Sequence, residues 1–183
     1  MNFWRVSALA AALVFASISP SLANLVTDPG FESCTMFSLL PPGWSGTGFC
    51  DQNPHSGSWD GSMTGNSNTL SQSIATTPGG TYDFSFWLAS GPESASNSFT
   101  ATFGSDQVFN VVDSGFVPYT FHDFTVPATT LMTTIQFTGI TTGGVWAIDD
   151  VSVTPVTVPE PATLALLATG LFGAAAMRRR RPC

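Results

Sequence analysis

The sequence predicts an all-β protein, an antiparallel β-sandwich set between two apolar terminal segments. Three observations carry this expectation. Between residues 24 and 154, short runs rich in aromatic and β-branched residues alternate with Ser, Thr, Asn, Gly and Pro clusters. No segment before Val158 shows a convincing helical period. Every Lys or Arg of the chain is an arginine, and all five lie at the ends: Arg5, Arg178, Arg179, Arg180 and Arg181.

Residues 1–23 read as a secretory signal peptide. Arg5 supplies a positive start, residues 6–18 an apolar run, and Ser21-Leu22-Ala23 a small-residue cleavage site. An uncleaved anchor is the alternative, but the run is short and Pro20 interrupts it. Export makes a disulfide permissible. Of the three cysteines, Cys34 and Cys50 share the exported domain, whereas Cys183 lies beyond the second apolar stretch. A Cys34–Cys50 bond would close a loop of about 15 residues and contribute roughly 3 kcal/mol in the chain-entropy account. No spacing suggests a zinc or redox site.

The clearest strand spans residues 81–90, where Tyr82, Phe84, Phe86 and Leu88 alternate with Asp83, Ser85, Trp87 and Ala89. Further strands are expected over residues 69–76, 98–103, 107–112, 119–126, 133–138 and 145–154. In the 119–126 run the apolar phase slips between Phe121 and Phe124, which predicts a β-bulge. Seven or so short strands with turn signals between them make a sandwich. Three prolines in residues 155–161 then mark an extended spacer.

Charge excludes whole classes of partner. From Asn24 to Val158 there are eleven Asp and Glu residues and no Lys or Arg, so the exported domain stands near −11 with His neutral. Such a surface cannot neutralise phosphates, which argues against nucleic acid and against anionic lipid headgroups. A buried carboxylate here must find backbone donors, hydroxyls, a His or a metal cation.

The end of the chain has three parts in fixed order: Pro159-Glu160-Pro161, the uncharged stretch 162–177, and Arg178 to Arg181 within the 178–183 tail. The 16 uncharged, mainly apolar residues of the stretch would span about 24 Å as a helix, short against a hydrocarbon core of about 30 Å. Arginine snorkelling and local thinning would cover the difference. The arginines place the C-terminus in the cytoplasm and the domain outside. On these grounds alone the segment is a transmembrane anchor.

The same triplet, apolar run and arginine cluster closely resemble the PEP-CTERM sorting signal of Gram-negative bacteria. The resemblance implies an exosortase partner that reads Pro159, Glu160 and Pro161, then removal of the tail. The protein would pass through the inner membrane to the cell surface or the extracellular space, in bacteria that make exopolysaccharide.

Two stretches carry a second resemblance. Residues 24–32, Asn-Leu-Val-Thr-Asp-Pro-Gly-Phe-Glu, look like the opening strand of galactose-binding-like jelly rolls, a group that includes many carbohydrate-binding modules. Residues 146–153, Trp-Ala-Ile-Asp-Asp-Val-Ser-Val, look like their last strand. Asn-Gly often stands in that group where this chain has Asp28-Pro29. The resemblance implies a structural Ca²⁺ held by Glu32 and one of Asp149 and Asp150, with backbone carbonyls. Oxygen ligands suit calcium, and adjacent strand residues face opposite ways, so one aspartate of the pair is expected to point at the ion. The alternative is that Asp149 and Asp150 are simply solvated.

Sugar binding would use exposed rings. Trp87 is the first candidate, because it lies opposite the Tyr82, Phe84, Phe86 and Leu88 face; Trp44 and Trp59, in Gly-rich loops, follow. A covering loop would remove each from contention. Catalysis finds little support. His55 and His122 are the available bases, no nucleophile is spaced to join them, and Asp149-Asp150 cannot flank a glycosidic bond from opposite sides. The sequence therefore reads as a secreted, non-enzymatic module associated with extracellular polysaccharide, or as a structural matrix or surface protein without a specific sugar.

Overall fold

A computed structural model of the chain describes residues 23–35, 40–91 and 96–157. The signal segment up to residue 22, the Pro159-Glu160-Pro161 triplet, the apolar stretch 162–177 and Arg178 to Arg181 lie outside the described residues. The described part is all β, as the sequence predicts, and consists of ten strands in two five-stranded antiparallel sheets.

The first sheet runs in the order β1 (Ser45–Gly46), β4 (Asn68–Ala75), β9 (Met132–Thr141), β6 (Asn97–Phe103), β7 (Asp106–Val112). The second runs β2 (Phe49–Asp51), β3 (Asp60–Met63), β10 (Trp146–Pro155), β5 (Thr81–Ser90), β8 (Val117–Pro127). Seven of these coincide closely with the expected strands. The three unforeseen ones, β1, β2 and β3, have four residues or fewer. They are too short for a period to show, and β3 (Asp-Gly-Ser-Met) is buried throughout.

Strict alternation makes the core. On β5, Tyr82, Phe84, Phe86 and Leu88 are buried, and they meet Phe99 and Phe103 of β6 with Ile135 and Phe137 of β9. Phe137 lies 5.0 Å edge-on from Phe86 and 5.9 Å from Phe84, so aromatic contacts tie the two layers together. Gly61 on β3 is small of necessity, because a Cβ there would strike the Phe31 ring.

Two local expectations are corrected. Residues 24–32 form no regular strand. Asn24 instead clamps β10, donating from Nδ2 to the Val151 carbonyl (3.0 Å) and accepting from the Val153 amide (2.9 Å). Asp28 and Phe31 then take left-handed backbone angles (φ 50° and 58°), which turn the chain away before a ladder can form. The expected bulge between Phe121 and Phe124 is also absent. Register with β5 is continuous from Phe121 opposite Trp87 to Phe124 opposite Phe84. The phase slip arises because Phe121 is an outward-facing aromatic, 51% exposed. The irregularity in this pair lies further along, between Leu88 and Ser90.

Cys34 and Cys50 are joined by a disulfide that ties the N-terminal segment to β2. His122 faces inward from β8, its ring 4.3 Å from Phe109 and 5.5 Å from Phe86. Burial in that apolar setting lowers its pKa. The folded state thus binds the proton less readily than the unfolded chain. The stability this group supports is fully present above about pH 6.5 and is lost as pH falls below it. Replacing His122 by Phe is expected to slow the loss of melting temperature as the pH is lowered from neutral into the acid range. Parallel melting curves for the two proteins would contradict this.

Candidate functional site

The outer face of the second sheet holds Trp87 and Asp149 from among the residues singled out in the sequence. Pairing places Trp87 beside Asp149 of β10 on one side and Phe121 of β8 on the other. Ala89 pairs with Ala147, and Asp51 pairs with Asp60 across β2 and β3. Residues 52–59, which connect β2 to β3, bind back onto this face.

That loop is fastened by carboxylates. The Ser58 and Trp59 amides donate to Glu32 Oε1 at 2.8 and 3.1 Å. The Ser56 amide donates to Asp149 Oδ2 at 2.9 Å, and the Ser56 hydroxyl to Asp150 Oδ1 at 2.7 Å. His55 Nδ1 lies 2.7 Å from Asp150 Oδ2, and since a carboxylate only accepts, that nitrogen carries the proton. The Asn53 amide donates to Asp60 Oδ1 at 3.1 Å. Gly57 sits among them at φ 69°, where a Cβ would run into the Glu32 carboxylate. Four carboxylates therefore do for this loop what basic side chains do elsewhere.

Adjacent aspartates reach one loop because β10 is irregular there. Its register with β5 shifts between Asp149 and Ser152, and Asp150 adopts φ 48°. The shift breaks strict alternation, which corrects the expectation that one aspartate of the pair would turn away. Glu32, Asp149 and Asp150 gather beside Gly30: an ideal Cβ there would lie 3.6 Å from Asp149 Oδ1, 3.7 Å from Asp150 Oδ1 and 3.7 Å from Glu32 Cγ. Asp149 is 0% exposed, and burial, with the Asp150 charge adding to it, pushes its carboxyl up to about 6. The donor set is all oxygen, as calcium prefers. Among the described residues no three His, Cys, Asp or Glu side chains are placed to hold a metal ion by themselves. Backbone carbonyls would have to complete a site.

The candidate aromatic platforms divide. Trp44 is 6% exposed, stacked on Phe31 at 4.8 Å with its Nε1 donating to the Asp28 carbonyl, so it is a core residue and no stacking surface. Trp59 is partly buried against the core. Trp87 does lie on the outer face, but His55 stacks on its ring at 3.7 Å and 14°, so the loop covers it.

Two further rings, Tyr119 and Phe116, line a cleft one step along the same face. Tyr119 meets the His55 edge at 5.5 Å, and its hydroxyl donates to the Asn53 carbonyl at 3.1 Å. It also lines an open cleft of about 360 Å³ together with Phe116, Asp51, Asn53, Ser62 and Ser90. Phe116 is 65% exposed. Ser90 holds it in place: its hydroxyl accepts from the Val117 amide at 2.9 Å and donates to the Gly115 carbonyl at 2.8 Å. Burial raises the Tyr119 phenol well above its usual range, and Asp60, Asp149, Asp150 and Asp51 reinforce the shift. Phe116 carried no sequence signal beyond its place in a Gly-Phe-Val-Pro turn.

Comparison with known proteins agrees with both ends of this reading. Residues 157–181 match the PEP-CTERM protein-sorting motif. No curated protein matches the chain by sequence. Among solved structures, the carbohydrate-binding module TmCBM61 in complex with β-1,4-galactotriose has 18% identity and a TM-score of 0.52, over 73% of this chain and 99% of its own. The C-terminal family 22 carbohydrate-binding module of Clostridium thermocellum Xyn10B has 15% identity and a TM-score of 0.54, over 73% and 96%. A Stig cyclase from Fischerella sp. TAU in complex with an indole has 14% identity and a TM-score of 0.53, over 75% and 98%. The likeness is one of fold, a carbohydrate-binding-module-like sandwich that bears a C-terminal sorting motif.

Proposed function

We propose that this protein is exported, processed at its C-terminal motif by an exosortase, and binds extracellular polysaccharide through its sandwich without catalysing a reaction. The observation that carries the binding reading is the Tyr119 cleft. It combines aromatic surface, from the exposed Phe116 and the half-buried Tyr119, with the polar groups of Asp51 and Asn53, the pairing that a sugar ring with an apolar face and hydroxyl rim requires. The fold neighbours whose own ligands are glycans support it. Nothing in the cleft resembles a nucleophile–base pair, and the aspartates of β10 are engaged by the 52–59 loop.

Retention on immobilised polysaccharides tests this. Phe116→Ala, at an exposed position, is expected to weaken retention about tenfold, the order of one aromatic contact, with an unchanged melting temperature. Absence of retention on every glycan by the unaltered protein would leave a structural matrix protein as the reading.

We also propose that calcium binds at Glu32 and the Asp149/Asp150 pair, completed by backbone carbonyls. The approach of Asp149 Oδ1 and Asp150 Oδ1 beside Gly30, with the Glu32 side chain next to them, the buried Asp149 carboxyl and the lack of any Lys or Arg between residues 24 and 158 support it. EDTA is then expected to lower the melting temperature by roughly 5–10 °C, as for a ligand held well above its dissociation constant. An unchanged melting temperature would refute the site.

For the tail, replacing Pro159, Glu160 and Pro161 by alanine is expected to block its removal and leave a larger, membrane-associated product on immunoblots. Normal processing of that variant would reduce the segment to a plain anchor.

A further inference from the structure

Resting on the reading of the Tyr119 cleft as a glycan site, we propose that its ligand carries protonated amino groups, as free hexosamine units do, and that polyuronates are excluded. Charge supplies the first part of the argument. The cleft belongs to a domain with eleven carboxylates and no Lys or Arg between residues 24 and 158, so no permanently charged cation of that stretch can pair with an acidic sugar. A uronate would meet repulsion from every side, and the repulsion would grow as salt is lowered.

Local geometry supplies the second. Asp51 lines the cleft, and its Oδ1 accepts from the Gln52 amide at 2.8 Å. Its Oδ2 has no hydrogen-bond donor among the described residues. Directly opposite Asp51 in the ladder is Asp60, fully buried, whose oxygens take the Asn53 amide and the Ser62 hydroxyl. The Tyr119 phenol in the cleft wall lies in the field of these two carboxylates and of Asp149 and Asp150. One acidic acceptor thus faces the cleft with further negative charge behind it.

The walls choose among cations. Phe116, Val117, Pro118, Tyr119 and Val145 offer apolar and aromatic surface. A bare metal ion gains nothing from such walls, and Asp51 is the single carboxylate lining them. An ammonium group on a ring with an apolar face uses both features: a charge-assisted hydrogen bond to Asp51 and attraction to the faces of Phe116 and Tyr119. The volume of about 360 Å³ is within the range of sites for small organic groups.

A matched pair of glycans isolates the charge. Retention should be compared on oligomers of glucosamine, on the same oligomers N-acetylated, and on a polyuronate, in mildly acidic buffer at low and high salt. The expected order is amine above acetylated by about tenfold, with the polyuronate not retained and the gap closing in high salt. Asp51→Asn, which keeps an acceptor for the Gln52 amide, should bring the amine-to-acetyl ratio close to one. Equal retention of amine and acetylated forms by the unaltered protein would overturn this proposal while leaving the glycan reading intact. Retention of oligolysine as strong as that of the glucosamine oligomers would overturn it as well, since the cleft would then be a general cation site. Retention on no glycan would overturn both.

Discussion

An anion buried without any basic side chain to meet it is the constraint around which this domain is arranged. Asp149 sits at the centre of the second sheet, fully enclosed, in a domain without Lys or Arg. Burying such a group without partners would cost several kcal/mol, and the chain answers with peptide amides from the loop between β2 and β3. Asp150, Glu32 and Asp60 take part in the same arrangement. The loop has no sheet pairing of its own, so these carboxylates are what fixes its path. That path decides which aromatic rings remain open: His55 is set on Trp87, while Tyr119 and Phe116 stay accessible.

The position of the acids in turn depends on the irregularity in β10. In a regular strand Asp149 and Asp150 would point to opposite faces and only one could hold the loop. The register shift and the left-handed Asp150 bring both to Ser56. Backbone irregularity of this kind is a common means of re-aiming side chains at functional edges. Here it turns a dipeptide into a two-pronged clasp, next to the residues that line the cleft.

Much of the sandwich was legible in the sequence because its long strands alternate cleanly. The 81–90 strand is the plainest case, its four apolar residues all buried and their neighbours facing out. The short strands were not legible, since two to four residues cannot display a period. The candidate site was read in part. Charge distribution pointed to carboxylates in search of donors, and Trp87 was rightly placed on the outer face. Its cover was invisible, because stacking by His55 depends on a loop path set by Glu32, Asp149 and Asp150, all remote in sequence. Phe121 misled for a related reason: an exposed aromatic in a strand reads as a phase error until the opposite face is known to carry Trp87.

The strand that ends the domain has a mechanical meaning. β10 leads directly into the sorting segment, and it lies inside its sheet, bonded to β3 on one side and β5 on the other. Tension applied through the C-terminus therefore enters a central strand. Extracting it means breaking the ladders to both β3 and β5, whereas an edge strand has only one ladder to lose. Asn24 adds a further fastening, since it grips the same strand through Val151 and Val153. The last strand before the sorting motif is thus fastened on both sides and along its N-terminal partner segment.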